Sequence, residues 1–454
     1  MFRYPLESLN RIYLRVFDSD FMRRILRNSS YLVSATVLAA ALGMVQSAFQ
    51  FRALQAAGAG LFAAMGTFTN VLNRFTAFRI DELVVKYVRL YEERKEHEKA
   101  AAVYKLAALL EAGGSLAAFL LILLLARLGA GLFSQRNLFP DQTLVESLFI
   151  LYGSLVLINL IFDSSDGILQ VFDRFGAKSA IDIVQSVVRL GLTVFVFFSG
   201  GGLVGMILAE LAGRVVRSVG YIGMALVTAR KQWGPGWWQT SFSVLKKDRR
   251  SLLTFAFSTN LSATVSLVAK DSEDLWVNAL AGNIVGGIYS LARQLIGFLQ
   301  IPVSPLPATT YPELSRAVAQ GNWKAVRSLL GRGSLLATLY TLPVTIALIV
   351  FGPQAILLLS TKEFLPAYAP LVILLIGYGF ANIFYWSRAA LLAFNRPVYP
   401  TIVNFIGMVI KVTGILLLAQ FGAVAFAALL SGYYIFTVGL SVVRVQRDLR
   451  AHLT

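Results

Sequence analysis

Long apolar runs recur along the whole chain, and charged residues collect in the gaps between them. A run of about 20 apolar residues is what a helix needs to cross the hydrocarbon core of a bilayer. Twelve segments qualify: 29–51, 59–79, 101–127, 144–165, 176–198, 203–228, 252–270, 279–303, 329–352, 366–387, 397–418 and 421–443. The first is too long for a cleaved signal, and six arginines within an amphipathic stretch precede it. The pattern predicts an all-α, polytopic membrane protein.

Basic residues alternate between the two sets of connections. One set carries 29 Lys and Arg, in 3–27, 79–99, 174–178, 230–250, 316–332, 388–396 and 444–450. The other carries only Arg52, Arg127, Arg136, Lys270 and Lys362. A missed helix would invert every later loop, so the asymmetry supports twelve spans. The positive-inside rule then puts both termini in the cytoplasm. Segment 229–251 holds Trp233, Gly234, Pro235, Gly236, Trp237 and Trp238 ahead of Lys246, Lys247, Arg249 and Arg250. It reads as a cytoplasmic linker, its tryptophans anchored at the headgroups. The expected division is 1–28 (amphipathic, cytoplasmic), 29–228 (six helices), 229–251 (linker), 252–443 (six helices) and 444–454 (tail).

The two halves read as repeats. Ser34-Ala-Thr-Val recurs as Ser262-Ala-Thr-Val, Ala53-Leu54 as Ala279-Leu280, and Gly60-Leu-Phe62 as Gly287-Ile-Tyr289, at offsets of 228, 226 and 227. An offset that spans an even number of helices keeps the orientation, so the repeat is parallel. Transporters built this way place their substrate between the halves. The expected architecture is two pseudo-symmetric six-helix lobes around a central cavity.

Composition removes several chemistries. The 454 residues are 57% hydrophobic and 14% charged, with no cysteine and two histidines, His97 and His452. Disulfides, thiolate catalysis and cysteine-held metals are excluded, and a histidine-based site is disfavoured. No GK[ST] phosphate loop is present. The net charge of +17 is mostly topology rather than a nucleic-acid footprint.

Seven basic residues fall within the spans: Arg74, Lys105, Arg189, Arg214, Arg217, Arg293 and Lys411. Arg74 and Lys105 lie near a cytoplasmic end and can snorkel. The other five lie near mid-depth, where a charge costs at least about 2.5–3.5 kcal/mol and so faces a cavity or a partner. Glu210 stands one turn before Arg214, and Asp182 stands seven residues before Arg189. Glu111 is isolated in helix 3 ahead of Gly113 and Gly114. The balance is cationic, which suits an anionic substrate, phosphate above all. Arg189, Arg214, Arg217, Arg293, Lys411 and Arg74 form the candidate substrate set. Glu111, Asp182 and Glu210 are candidates for ion coupling. Segment 81–99, with Leu83, Val84, Tyr87, Val88 and Tyr91 on one face, reads as a helix along the cytoplasmic interface. The prolines at 302, 305 and 307 read as either a hinge or a rigid stop.

From Phe255-Ala-Phe-Ser through Asp274-Leu-Trp-Val-Asn-Ala-Leu-Ala-Gly282, Gly287-Ile-Tyr-Ser-Leu-Ala-Arg293 and Tyr311-Pro-Glu-Leu314, the chain resembles Wzx-type polysaccharide biosynthesis proteins. These belong to the multidrug/oligosaccharidyl-lipid/polysaccharide exporter superfamily. Arg52-Ala-Leu followed by Gly60-Leu-Phe62 resembles that family's first hairpin, with Gln55-Ala56-Ala57 in place of its usual glycine and acidic residue. The resemblance implies a flippase, not an enzyme, in a bacterial or archaeal cytoplasmic membrane. It would carry an undecaprenyl-pyrophosphate-linked oligosaccharide across by alternating access, without a cofactor or ATP. Membrane lipids, a polysaccharide polymerase and chain-length machinery would be its partners, and nucleic acid would not. An ion-coupled drug/cation antiporter of the same superfamily is the alternative. A membrane-embedded glycosyl- or phosphotransferase is a weaker one, resting on Asp163, Asp166 and Asp173.

Overall fold

The computed structural model describes residues 20–76, 80–133, 141–246, 248, 252 and 267–453. Among them the chain is helical throughout. Residues 20–76 form one helical run that turns sharply at Gln55, giving α1 (20–54) and α2 (56–76). The first half continues with α3 (Ile80–Glu93), α4 (His97–Phe133), α5 (Gln142–Gly153), α6 (Leu155–Ile158), α7 (Phe162–Val171), α8 (Phe175–Ser199) and α9 (Gly202–Trp233). The second half has a π-helical turn (Leu267–Asp271), α10 (Glu273–Ala281) and α11 (Asn283–Gln300). It goes on through α12 (Leu306–Ala319), α13 (Trp323–Val350), α14 (Gly352–Leu359), α15 (Tyr368–Ile383), α16 (Ser387–Ala393), α17 (Val398–Leu418) and α18 (Ala423–Leu453). Seven segments among the described residues are long and apolar enough to cross a membrane.

The repeat seen in the sequence is also a repeat of backbone events. The corner at Gln55 (φ 52°, ψ −173°) recurs at Gly282 (φ 91°, ψ 164°), an offset of 227. Helices α3 and α12 are each 14 residues long and begin at 80 and 306. The fourth span of each half breaks at equivalent places, 159–161 between α6 and α7, and 384–386 between α15 and α16. The same words at the same offset therefore build the same corners.

Two boundaries and two packing assignments differ from the sequence reading. Helix α1 begins at Asp20, ahead of the expected start at 29. The seventh span does not end at 270. Its helix continues through the π turn and α10 to Ala281, so 271–278 is not a loop. Helix α3 does not lie on lipid with its apolar face. Ile80, Leu83, Val84, Tyr87, Val88 and Tyr91 are buried in a cluster with α4, α7 and the end of α9. The linker tryptophans join that cluster: Trp233 Nε1 donates to Glu92 at 2.7 Å, and Trp237 stacks on Tyr104 at 5.2 Å. Trp238 alone of the three is well exposed. At the proline segment α11 ends at Gln300 and α12 starts at Leu306 behind Pro305.

Each half thus carries its own cap at the basic end. The first is the α3 cluster, made wholly from residues 80–252. The second joins Leu314, Ala317, Val326 and Leu330 to Trp386, Leu391, Val445 and Leu449. At the opposite end a single large core draws on both halves, from Phe51, Leu54 and Ala59 to Tyr289, Phe364 and Phe426. The lobes are joined at the corner end and separately capped at the basic end.

Gln55 occupies a backbone region open almost only to glycine, and such a residue stores about 1–3 kcal/mol. Glycine's extra freedom in the unfolded chain takes back about 0.5–1 kcal/mol. Gln55→Gly is therefore expected to raise the apparent Tm in detergent by about 1–2 °C, and Gly282→Gln to lower it. Equal and opposite shifts absent from both variants in a thermal melt would contradict a strained corner.

Candidate functional site

Most charges within the membrane-spanning helices of the described residues meet an opposite charge on a neighbouring helix. In the first lobe Glu210, buried on α9, receives Arg189 Nη1 from α8 at 3.1 Å and Arg214 Nε at 3.1 Å. The spacing of Glu210 and Arg214, four residues apart, puts both on one helix face. Asp182 does not bind Arg189. It accepts Arg217 Nε at 2.8 Å and the Tyr221 hydroxyl at 2.9 Å. Arg217 also lies over the Phe162 ring, 4.8 Å from its centre. Three arginines thus share two carboxylates, leaving one net positive charge.

Glu111 is held differently. Its Oε1 accepts the backbone N–H of Asp163 at 2.7 Å and its Oε2 that of Ser164 at 2.9 Å. These are the free donors at the start of α7, just after the break at 159–161, so α4 supplies the cap that α7 lacks. The carbonyl freed at Ile158 is met as well, accepting Ser218 Oγ at 2.5 Å. Asp166, one turn on, pairs with Lys178. Asp81, at the start of α3 and outside the spans, has its carboxyl pushed up by burial, with Glu82 and Asp166 adding repulsion. Among the described residues no group of three such ligands is arranged to hold a metal.

The second lobe holds the charges that the sequence reading assigned to a loop. Lys411 on α17 and Glu273 on α10 form an ion pair at 2% and 0% exposure. Lys411 Nζ also donates to Ala269 O at 2.6 Å, a carbonyl of the π turn, and the Tyr289 hydroxyl donates to Glu273 at 3.1 Å. Lys411 is therefore placed inside the lobe as a strut for the π turn, away from any accessible surface. Next to it, Asp274 accepts Arg293 Nη1 at 2.9 Å and Thr67 Oγ1, from α2 of the other lobe, at 3.3 Å. Half-exposed Arg74 on α2 reaches Asp271 at 2.7 Å, again across the lobes.

Three cations are left over: Lys105, which donates to Thr240 O at 3.1 Å, Lys270 and Arg388. Lys270 lies within electrostatic range of Asp271, Arg388 and Arg74. Among the described residues, neither Lys270 nor Arg388 has a carboxylate at ion-pair distance. Both had been counted as loop residues, Lys270 on the outer side and Arg388 on the inner. The repeat held the signal that relocates Lys270: the offset of 227 maps the corner at Gln55 onto Gly282, which puts 270–274 inside a helix. Helix α10 ends at Ala281, so Lys270 stands about 17 Å below that corner. Among the described residues, Arg74, Lys270 and Arg388 thus have one carboxylate, Asp271, between them.

The chain matches the family described as polysaccharide biosynthesis protein over residues 25–318. It belongs to that family. Residues 274–417 also match the MatE family. An uncharacterized membrane protein of Methanocaldococcus jannaschii, MJ1068, is 22% identical over 393 residues, covering 84% of this chain and 76% of the relative. Among solved structures, a multidrug resistance MATE family transporter of the MOP superfamily, in an inward-facing conformation, superposes with a TM-score of 0.69 at 14% identity. That match covers 94% of this chain and 95% of the other. The lipid II flippase MurJ, in an inward closed conformation, superposes at 0.65 and 15% identity, covering 93% and 89%. The fold is shared with these two proteins, and its seven helices long and apolar enough to cross a bilayer make the chain a multi-pass membrane protein of the polysaccharide biosynthesis protein family.

Breaking a buried ion pair from one side leaves an unmatched charge and costs about 3–5 kcal/mol, whereas an apolar or neutral replacement of both partners is far milder. Lys411→Met and Glu273→Gln are each expected to lower the midpoint of thermal unfolding sharply. The double variant is expected to recover most of that loss. Additive losses in the double variant would remove the strut.

Proposed function

We propose that the protein is a flippase for a polyprenyl-pyrophosphate-linked oligosaccharide. The grouping of Arg74, Lys270 and Arg388 carries this reading, because among the described residues two of the three cations lack a carboxylate partner. A pyrophosphate supplies the missing negative charge, and arginine's planar fork matches its oxygens. Membership in the polysaccharide biosynthesis protein family supports the sugar-bearing cargo. Asn70 and Asn73, on the same helix as Arg74, offer hydrogen bonds to sugar hydroxyls. The basic end faces the cytoplasm by the positive-inside rule, so cargo enters between the two caps and leaves toward the corner end. Arg189, Arg214 and Arg217, each tied to a carboxylate, contribute one net charge to the same field. Glu111 is the coupling group. Protonation would weaken both of its backbone hydrogen bonds and loosen α7, while Glu210 and Asp182 are pinned by arginines.

A second reading, a MATE-type cation antiporter, has one observation in its favour. Asp274 Oδ1 is buried without a hydrogen-bond partner, an acceptor open to a proton or an organic cation. The two readings part in one proteoliposome experiment. With fluorescent polyprenyl-pyrophosphate oligosaccharide, Arg74→Ala, Lys270→Ala and Arg388→Ala are each expected to slow flipping tenfold or more at matched reconstitution. Glu111→Gln should leave flipping insensitive to an imposed pH gradient. Rapid exchange of a cationic dye, abolished by Asp274→Asn and indifferent to the basic residues, would instead establish the antiporter.

A further inference from the structure

The two lobes meet at the corner end through a reciprocal contact of unusual closeness. A methyl group added at Gly60 on α2 would lie 1.9 Å from the Asn283 carbonyl oxygen of α11. One added at Gly287 on α11 would lie 1.9 Å from the Ala56 carbonyl oxygen of α2. Positions 56 and 60 map onto 283 and 287 at the repeat offset of 227, so the pseudo-twofold axis runs between the two helices here. Even a weak carbon–oxygen contact needs about 3.3 Å, so only glycine at both places lets the backbones touch.

Polar contacts ring this seam. Arg52 Nη2 donates to Leu358 O at 2.8 Å. Glu363 Oε2 accepts the Ala56 N–H at 3.2 Å, capping the start of α2 from the other lobe. Asn283 Nδ2 donates to Phe133 O at 2.6 Å, and the rings of Phe51 and Phe364 meet edge-on at 5.4 Å. Every one of these contacts crosses between the lobes. The charged members are groups that water satisfies equally well once they part, unlike interdigitated apolar side chains. The strained corner at Gln55 lies between Arg52 and Ala56.

We propose that this seam is the latch that seals the corner end: the Gly60–Gly287 contact closes it, and Arg52 and Glu363 are positioning residues that hold it shut. The inference rests on the transport reading only in requiring the two lobes to alternate, and its test needs no substrate. The chain has no cysteine, so Ser47→Cys introduces a single thiol. Ser47 is 8% exposed on α1 and accepts Gln294 Nε2 of α11 at 3.2 Å, below the seam on the same interface. In proteoliposomes, a membrane-impermeant maleimide applied from the corner side reports how often the seam opens. The full-length S47C chain is expected to label slowly. Gly60→Ala and Gly287→Ala, each added to it, should label at least tenfold faster and to similar extents. Glu363→Ala and Arg52→Ala should also accelerate labelling, while Glu363→Gln, which keeps an oxygen acceptor, stays near the parent. The two exposed-rim variants carry the test if a glycine variant fails to reconstitute. Parent-like labelling in Glu363→Ala and Arg52→Ala, or rates in Glu363→Gln as high as in Glu363→Ala, would overturn the latch. A failed flipping assay with intact labelling behaviour would reject the cargo and leave the latch standing.

Discussion

A charge at membrane depth has to be matched where it stands, and the pair between Lys411 and Glu273 shows how much follows from that. Lys411 can satisfy its ammonium only by reaching both the Glu273 carboxylate and the Ala269 carbonyl. That second contact props open the π-helical turn at Leu267–Asp271. The turn in turn sets the direction in which the next charged residues face. Asp271 and Asp274 then meet Arg74 and Thr67 of the opposite lobe, and Lys270 is left beside Arg388. A contact wholly inside one lobe therefore decides what that lobe presents to the other.

The lobes are alike in backbone and unlike in charge. Each has the same corner, the same short helix after its second span and the same break in its fourth. In the first lobe the break is capped by Glu111 from α4, and the neighbouring arginines are tied to Glu210 and Asp182. In the second, α16 begins at Ser387 with Arg388 next to it and no such carboxylate. The shared backbone fixes two bodies that fit about a common axis. The side chains differ: the first lobe ties its arginines to Glu210 and Asp182, whereas Lys270 and Arg388 of the second have no carboxylate at ion-pair distance among the described residues.

What the sequence disclosed follows this division. Spans, lobes and the parallel repeat were legible because hydrophobicity and turn residues act locally; the words at Ala53 and Gly60 marked the corner, while Ser262–Val265 lies outside the described residues. Gly60 and Gly287 were visible as a pair before there was any reason for them to touch. The charges were harder. Lys270, Asp271, Glu273 and Asp274 fall close together, and such a group reads as a loop until partners on α2, α11 and α17 bring it inside. Arg388 was hidden for the same reason, and Lys411, correctly placed at depth, proved to be enclosed within its lobe. Amphipathicity revealed that α3 and the linker tryptophans bury an apolar face; it did not reveal that the face meets protein rather than lipid. Pairing between distant helices is a tertiary fact, and periodicity along one helix carries no trace of it.

The lengths of α4 and α9 have a mechanical consequence. At 37 and 32 residues they reach about 55 and 48 Å, well past a hydrocarbon layer of about 30 Å. Their far ends are braced into a rigid cap by α3 and by Trp233 and Trp237. The close glycine contact lies at the other extreme of the molecule, so while it is shut the caps stand nearly 50 Å from the nearest tight junction between the lobes. On such arms each degree of tilt displaces the tips by roughly 0.9 Å. A few degrees of relative tilt would therefore part the caps by several ångströms.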